Sequence, residues 1–353
     1  MGQSPDSSSY NNNCIGLPLV QGNADMCERI ATPQRYTSQP TKICEAGSII
    51  LSVRAPVGTV GKTFKKICLG RGVCGITSKN IEFMYQYLLN NENSWRHIEQ
   101  GGTFTAINSD DIKSFPIILP SLPEQQKIAD FLSLVDQRIK KQRQLVESLK
   151  KYKRGLFLKL YNDSEKKSYK ICDLGKYCAT GALSKDDIDV SGKYPCILYG
   201  ELFTKYGEVI KQVVSRTNVL PTYLSGTNEI LFPSSTTADA QSLIFPSSLK
   251  IKNISLGGDL FTIKLKNEFD SDFISYLVNF EYKNTLARYA QGITIIHLHY
   301  TDIKEQVIDI PNVDTQFNIS SVMRKIETTI EMNINELNSL LLMKKGFLQK
   351  MFI

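Results

Sequence analysis

A chain of 353 residues with 42% hydrophobic and 22% charged residues is long enough for two domains with full cores, and this composition excludes a disordered chain. Segment 1–13 lacks the basic and apolar stretches of a signal peptide, and no apolar run reaches the roughly 18 residues of a membrane span, so we expect a cytoplasmic protein with no membrane partner. The 8 cysteines form no CxxC pair, which favours reduced, mostly buried thiols over disulfides or a structural zinc site.

The net charge of +7 is unevenly distributed along the chain. Residues 121–161 alone contribute +6, through lysines and arginines that recur between Arg138 and Lys159. A basic stripe of this kind can face a polyanion, but a solvated helix face has the same composition. Charge alone therefore leaves both interpretations open.

The first domain, residues 1–120, reads as short strands and turns with one helix. Apolar and β-branched residues predict strands at Ile49–Val53, Val57–Val60 and Ile67–Leu69. The composition of Ile81–Asn90 predicts a helix. These elements indicate a mixed domain of helix and sheet.

A long helix follows at residues 121–161. It is predicted to begin at Ser121, with Glu124 in the position of a capping box, directly after the apolar run Phe115–Pro120, which we expect to be a strand. Apolar residues recur at every third or fourth position along this helix. A stripe sustained over roughly 35 helical residues, or about 50 Å, needs a partner surface, because a lone helix would leave it in water.

The predicted partner is a second copy of this helix at residues 311–353, with Asn312 as its N-terminal cap. Adding 191 to the apolar positions of the first helix gives the same pattern, with polar interruptions in matching places. We expect the two helices to pair antiparallel, with the amides of Gln142 and Asn333 in adjacent central layers. Two amphipathic helices packed separately on their own domains are the alternative. The predicted seam between the helices consists of Ile128, Leu132, Val135, Ile139, Gln142, Val146, Leu149, Ile319, Met323, Ile326, Ile330, Asn333, Leu337 and Leu340.

The duplication extends beyond the helices into residues 162–310, the second domain. Asp302–Lys304 repeats Asp111–Lys113 at the same offset of 191, and Ile254–Gly257 resembles Ile67–Gly70 at an offset of 187. Two related domains therefore precede two related helices. The predicted fold is α+β with pseudo-twofold internal duplication: two similar globular domains separated by two long helices that form an antiparallel coiled coil.

The second domain shows how the first is expected to differ from it. It is predicted to contain a strand at Ile230–Phe232 and a helix at Phe273–Tyr289. Its leading segment Tyr169–Thr180 looks like a first strand, whereas the first domain begins at Gly2 without an equivalent segment. We therefore expect the first domain to lack its first strand, and we favour truncation of the chain over loss of the strand from the domain as the reason.

Sequence motifs that would indicate catalysis are incomplete or absent in this chain. Gly58–Thr63 ends like a phosphate-binding loop, but Pro56 stands where that loop needs glycine. Asp111–Lys113 lacks the third carboxylate of a metal-dependent nuclease, and His297 and His299 are better explained as paired surface histidines than as metal ligands. The sequence also has no nucleophile elbow, no HExxH and no (N/D)PP(Y/F) methyltransferase motif. No catalytic or metal-binding residue is predicted.

The segment Leu119–Ile139, LPSLPEQQKIADFLSLVDQRI, resembles the conserved region of type I restriction–modification specificity subunits, the HsdS family. The order of domain, helix, domain and helix agrees over essentially the whole chain. Val53–Gly58 and Leu69–Val73 are also similar to one class of target-recognition domain in that family. The second helix departs from the pattern, with Pro311–Gln316 in place of LPEQQ, so equal partner affinity at both helix starts is not implied.

The resemblance implies a non-catalytic subunit that supplies sequence specificity to a modification and restriction complex. Target-recognition domains 1–120 and 162–310 would each read one half of a bipartite site on double-stranded DNA, with the coiled coil as spacer. Two methyltransferase subunits would dock beside the helices, and restriction subunits would complete the complex. S-adenosylmethionine and ATP with Mg²⁺ would be cofactors of those partners, and this chain would bind none.

The residues expected to contact DNA come from loops of the two target-recognition domains. Features shared by both halves, such as Gln100-Gly101 and Gln291-Gly292, are expected to build the fold or hold phosphates, whereas segments that differ are expected to read bases. Arginine and lysine suit guanine edges as well as phosphates, although a solvated loop residue is the alternative for each candidate. The candidates are Arg54, Lys62, Lys65, Lys66 and Arg71 in the first domain, and Lys211, Arg216, Ser234, Ser235, Thr236, Thr237 and Gln241 in the second.

Two other classes of function are open on the sequence alone. A coiled-coil interaction scaffold would bind other proteins through its globular domains without sequence-specific DNA binding, and its contacts would be insensitive to DNA and salt. An enzyme with an unrecognised site would methylate or cleave its substrate as the isolated chain.

Overall fold

The structure, a computed structural model, describes residues 1–98 and 106–352, without the side chains of residues 96–98. The described chain divides into two units, the first formed by Met1–Gln144 with Ile334–Ile353 and the second by Leu145–Asn333. The division into two domains and two separate helices therefore stays a prediction. The expected role of Gln100-Gly101 concerns residues that lie outside the described part of the chain.

The strands of the first unit are short, with two to four residues each. Within its described residues they form two five-stranded sheets, with the orders β1-β5-β2-β9-β6 and β10-β7-β8-β4-β3. The strands are β1 (Tyr10–Asn11), β2 (Leu17–Val20), β3 (Met26–Cys27), β4 (Ile30–Ala31), β5 (Tyr36–Thr37), β6 (Ile43–Cys44), β7 (Ile49–Ser52), β8 (Val60–Lys62), β9 (Ile67–Leu69) and β10 (Val73–Ile76).

Four helices complete this part of the chain. α1 begins after Asn80, whose side-chain oxygen accepts a hydrogen bond of 3.0 Å from the backbone N–H of Phe83, and it buries Met84 and Leu88 against the sheet. The helices are α1 (Ile81–Asn90), α2 (Glu92–Ile98), α3 (Ser109–Ser114) and α4 (Leu122–Asn162).

The second unit repeats this style with one large sheet and three smaller ones among its described residues. The strands are β11 (Lys167–Lys170), β12 (Gly175–Ala179), β13 (Tyr194–Ile197), β14 (Val209–Ile210), β15 (Ser215–Thr217), β16 (Glu229–Pro233), β17 (Ser235–Thr236), β18 (Ser247–Leu249), β19 (Ser255–Leu256), β20 (Leu260–Leu265), β21 (Ile296–His297) and β22 (Val307–Ile310). Their orders are β12-β20-β16-β18-β14, β15-β13-β19, β11-β22 and β17-β21.

The helices of the second unit pack on its large sheet and enclose the main core. Phe157 and Tyr161 near the end of α4 contribute to that core, together with Phe273. The remaining helices are α5 (Tyr199–Thr204), α6 (Ala240–Leu243), α7 (Ser271–Leu277), which continues through a π-helical turn at Val278–Tyr282, α8 (Lys283–Ala287), α9 (Tyr300–Ile303) and α10 (Val313–Met351).

Each long helix begins with a side-chain cap, although the capping contact differs. Glu124 accepts a hydrogen bond of 3.0 Å from the backbone N–H of Ser121, as a capping box requires. Asn312 caps α10 through a hydrogen bond of 2.9 Å from the N–H of Thr315.

A glutamine fixes the chain just before each long helix. The amide of Gln125 donates to the carbonyl of Pro120 at 2.9 Å, and that of Gln316 donates to the carbonyl of Pro311 at 2.9 Å. The second helix therefore keeps the glutamine-to-proline contact of LPEQQ, although most of that motif is absent from it.

The long helices pack antiparallel, as predicted. In the first unit Asp136 of α4 accepts from Lys344 of α10 at 2.6 Å, and Arg138 donates to Glu336 at 2.6 Å, so residue numbers rise on one helix as they fall on the other. None of the predicted seam residues is exposed. Leu132, Ile139, Gln142, Val146, Ile319, Met323 and Ile330 are buried, and Ile128, Val135, Leu149, Ile326, Asn333, Leu337 and Leu340 are half-buried.

Two predicted strands differ from the structure. The strand expected at Val57–Val60 begins only at Val60, because Pro56 and Gly58, which has a φ of +87°, form a turn around the buried Val57. No strand forms at Phe115–Pro120, whereas its repeat β22 pairs with β11 along four residues. Within the described residues no segment pairs with residues 115–120, and an extended chain without a partner is not a sheet strand.

Candidate nucleic-acid interface

The first unit contains a cleft of about 510 Å³ at the ends of the parallel strands β2 and β9. Gly70 brings its two walls together, since a Cβ there would lie 2.9 Å from the Cα of Gln21. The residues that line this first-unit cleft are Ser4, Gln21, Gly22, Asn23, Ala24, Arg54, Ala55, Pro56, Arg71 and Gly72.

One backbone hydrogen bond places two arginines on the first-unit cleft. The N–H of Val53 donates to the carbonyl of Gly72 at 2.9 Å. Since Arg54 follows Val53 and Arg71 precedes Gly72, this bond places both arginines on the same cleft. The hydroxyl of Ser52 fixes the loop further by donating to the carbonyl oxygen of Arg54, at 2.9 Å. Both arginines are exposed, and within the described residues neither guanidinium has an ion pair or a side-chain hydrogen bond.

The other basic candidates of the first unit do not line this cleft. Lys62 is held between Glu82, with which it forms an ion pair, and the ring of Tyr85, 4.0 Å from its ammonium nitrogen. Burial raises the pKa of Tyr85 to about 12, so the ring stays neutral beside the lysine. Lys66 forms an exposed ion pair of 2.8 Å with Glu45, while Lys65 is exposed and lines a separate cleft of about 380 Å³.

The second unit has a cleft of about 970 Å³ at the corresponding place, where β13 and β19 run parallel. Gly257 closes its wall as Gly70 does in the first unit, since a Cβ would lie 2.7 Å from a methyl carbon of Leu198. The residues that line this second-unit cleft are Ala182, Leu183, Ser184, Lys185, Ile188, Leu198, Tyr199, Gly200, Glu201, Thr204, Lys205, Gly258 and Asp259.

The same backbone bond recurs beside the second-unit cleft. The N–H of Ser234 donates to the carbonyl of Asp259 at 2.8 Å, in the place of the Val53–Gly72 bond. Ser235 then stands where Arg54 stands in the first unit, and it pairs with His297 as Arg54 pairs with Ala106. The residue before Asp259 is Gly258, so neither arginine of the first unit has an arginine at its equivalent position.

Most candidates of the second unit lie outside its cleft or are already engaged. Lys211 forms an ion pair of 2.7 Å with Glu331, and Arg216 donates to the carbonyls of Gly192 and Lys193 at 2.6 and 2.9 Å. The structure places Ser235 in a buried position, Ser234 and Thr236 in half-buried positions, and Thr237 and Gln241 in exposed ones.

Sequence reasoning missed polar residues that line the two clefts, among them Asn23, Lys185 and Tyr199. The sequence did show Gly70 and Gly257 as a match at an offset of 187. The segments that pack against these two glycines were therefore the signal by which the lining residues could have been found.

His297 and His299 share one face with rings 6.1 Å apart, as paired surface histidines do. The described residues contain no group of three or more metal-ligating side chains, and none of their helices is both long and apolar enough to cross a membrane.

The comparisons with known proteins agree with this duplicated architecture. The family model for the type I restriction modification DNA specificity domain matches residues 4–151 and 163–342. The chain therefore belongs to this family, as its sequence predicted.

Two curated relatives come from Methanocaldococcus jannaschii. A putative type I restriction enzyme MjaX specificity subunit is 39% identical over 160 residues, which are 44% of this chain and 38% of the relative. A type I restriction enzyme MjaIX specificity subunit is 30% identical over 144 residues, 39% of this chain and 33% of the relative. The matches thus span well under half of either relative.

Two solved structures share the fold over almost the whole chain. The S subunit of a type I restriction-modification system from M. genitalium has a TM-score of 0.58 at 16% identity and covers 100% of this chain and 92% of its own. A chain from a study of complex assembly and conformational transition of the type I R-M system has a TM-score of 0.59 at 12% identity and covers 99% and 93%. At these identities the likeness concerns the fold.

Proposed function

We propose that this chain is the DNA sequence-specificity subunit of a type I restriction–modification complex. Each unit reads one half of a bipartite site on double-stranded DNA, and the long helices act as spacer and docking platform. The chain itself carries out no catalysis; the partners bind S-adenosylmethionine and ATP with Mg²⁺.

The observation that carries this proposal is the repeated cleft. Each unit has an opening next to the same parallel strand pair and the same backbone hydrogen bond, Val53 to Gly72 in one and Ser234 to Asp259 in the other. The side chains around these bonds differ between the units. A common frame with different polar linings suits two related but unequal half-sites, because phosphate contacts position a protein whereas base contacts specify the sequence.

The long helices offer apolar surface for partner subunits in each unit. In the first unit Leu134 is 64% exposed and Leu342 is 71% exposed. In the second, Tyr152 is 58% and Met332 66% exposed. Large exposed apolar side chains outside a packed seam are typical of protein interfaces, which fits one methyltransferase subunit at each unit and restriction subunits in the complete complex.

The proposal is tested by selection from a random duplex pool with the full chain and its purified methyltransferase partner. We expect enrichment of a split motif with fixed spacing, and methylation within that motif. Binding should weaken steeply with salt, because phosphate contacts release counterions.

Leu134→Ser and Leu342→Ser, made separately, are expected to weaken assembly with the methyltransferase. A matched control is Leu220→Ser, a 77% exposed leucine outside the long helices. If no split motif is enriched and partner binding ignores both DNA and salt, the chain is an interaction scaffold.

A further inference from the structure

We propose that the first-unit cleft is a guanine-reading site, in which Arg54 and Arg71 each bind the major-groove edge of a guanine, and that the second-unit cleft has no equivalent. This inference rests on the proposed function and assigns the base chemistry of one half-site.

The two guanidinium groups of the first-unit cleft are available for a ligand. Several other basic side chains of the first unit are engaged, among them Lys62 with Glu82, and Arg29 with Glu92 and the carbonyl of Val60. Arg54 and Arg71 border the cleft, and within the described residues they have no such partner. A cation kept free of nearby carboxylates retains all its donors for a ligand.

The loops that carry these two arginines are fixed by backbone hydrogen bonds. Besides the Val53–Gly72 bond, the carbonyl of Val53 accepts from the N–H of Ile107 at 3.1 Å, and the N–H of Arg71 donates to the hydroxyl of Ser4 at 3.1 Å. Since the backbone on either side of the cleft is fixed, binding has to order only the side-chain torsions of each arginine. Preorganisation of this kind favours a directional contact over a diffuse one.

The guanidinium group of arginine matches the major-groove edge of guanine. An arginine fork matches the O6 and N7 acceptors of guanine with two parallel hydrogen bonds, and it is the commonest specific contact in the major groove. A lysine keeps the charge but loses the fork. The amide of Asn23, on the same cleft, adds a group that can pair with a neighbouring adenine.

The second unit lacks both arginines at the equivalent positions. Ser235 and Gly258 occupy the positions of Arg54 and Arg71, and the second-unit cleft has no arginine among its lining residues. Of its two lysines, Lys205 forms an ion pair of 2.6 Å with Glu201, whereas Lys185 is exposed but lacks the planar fork of an arginine. The same frame therefore carries guanidinium chemistry in one unit, which predicts guanine positions in one half-site that the other does not share.

The test uses the full chain in complex with its methyltransferase subunits and selection from random duplexes. Arg54→Lys and Arg71→Lys, made separately, should each relax the preference for guanine at one position of the same half-site by about tenfold to hundredfold. The other half-site should be unchanged, and the salt dependence should stay as in the wild type because charge is preserved. Arg35→Lys, an exposed arginine of the first unit that does not line the cleft, is the matched control and should change nothing.

The half-site is assigned independently through a cysteine of the first unit. Cys27 is exposed and lies close in sequence to the cleft-lining residues 21–24, so an iron–EDTA cleavage reagent attached to it marks the adjacent half-site when the other exposed or half-buried cysteines, Cys14, Cys172 and Cys178, are replaced by serine. Cleavage should fall in the half-site whose guanines respond to the arginine variants.

The outcomes separate the two proposals. If the wild type enriches a split motif but both lysine variants retain its guanines, or the marked half-site contains no guanine, the cleft inference is wrong while the specificity function stands. If each variant weakens all sequences equally, the arginines bind phosphates and the inference also fails. If the wild type enriches no motif, the proposed function itself fails.

Discussion

The two units have the same backbone frame around their clefts but differ in the side chains on it. Val53 and Gly72 in the first unit, and Ser234 and Asp259 in the second, form the same hydrogen bond beside the same pair of parallel strands. The adjoining arginines are present only in the first. Duplication therefore kept the contacts that build the cleft, whereas the side chains that line it differ between the units.

The long helices show the same relation in their ion pairs. Lys153 of α4 and Lys344 of α10 are related by the offset of 191, and so are their partners, Asp136 with Glu327. The distances are 3.1 Å for Lys153 to Glu327 and 2.6 Å for Lys344 to Asp136. The two bridges differ in burial: the side chains of Lys153 and Glu327 are 8% and 10% exposed, whereas Asp136 is 38% exposed.

The largest expected effect comes from breaking these equivalent bridges. Lys153→Met leaves Glu327 and its second partner Glu208, which is 18% exposed, without their common cation, and we expect a loss of about 3–5 kcal/mol in the second unit. Lys344→Met leaves only the more exposed Asp136 and should cost the first unit about 1 kcal/mol or less.

The two losses can be measured separately because the chain has one tryptophan. Trp95 is buried in the first unit, so its fluorescence follows unfolding of that unit, while hydrogen exchange of β16 and β20 follows the second. Equal losses from both substitutions would show that burial does not distinguish the bridges.

The next effect concerns the strand that only one unit forms. Ile308 in β22 is 1% exposed and packs in the main core of the second unit, whereas its repeat Ile117 is 39% exposed. Ile308→Ala should destabilise the second unit by about 2–5 kcal/mol, and Ile117→Ala should destabilise the first by less than about 1 kcal/mol. Urea unfolding followed by the same two probes measures this difference, and a cost at Ile117 as large as at Ile308 would contradict it.

Sequence reasoning located the long helices because their signals are local. The predicted ranges 121–161 and 311–353 compare with Leu122–Asn162 and Val313–Met351 in the structure. The ion pairs of Lys153 could not be predicted from a local pattern. It was a polar interruption of the apolar stripe, and its partner Glu208 lies 55 residues away in a connection that carries no periodic pattern.

The site was predictable in residue type but not in position. Arg54 and Lys62 looked equivalent as basic residues near strand ends, yet Arg54 lines a cleft with no ion pair to any described residue, whereas Lys62 packs on Tyr85. What separates them is tertiary: a hydrogen bond between Val53 and Gly72 in one case and an aromatic ring from α1 in the other. Likewise, the apolar run Phe115–Pro120 predicted a strand, but composition does not tell whether a pairing strand is available.

A smaller effect should distinguish free from paired lysines across the units. Lys65 is exposed and, within the described residues, has no ion pair, whereas Lys211 is bound to Glu331. If Lys65 contacts a phosphate, Lys65→Met lowers the slope of log affinity against log salt by about one and weakens all sequences alike. Lys211→Met should leave the slope unchanged. Affinity titrations of the assembled complex at several salt concentrations provide the test, and equal slopes for the wild type and Lys65→Met would remove Lys65 from the interface.

The smallest expected effect is the pH dependence of the buried bridge in the second unit. Burial raises the pKa of Glu327 above its ordinary value of 4.5, although Lys153 and the hydroxyl of Tyr276 act in the opposite direction. A raised pKa means that the folded unit binds this proton more tightly than the unfolded chain does. The carboxyl group therefore favours folding below pH 4.5, and this contribution is lost as the pH rises through the folded-state pKa. Glu327→Gln removes the titration, so the stability of the variant relative to the wild type should rise as the pH increases across that window. Denaturation of the second unit at pH 4 to 7 measures this difference. Parallel stability curves for the two proteins would show that the carboxyl group has the same pKa in the folded and unfolded chain.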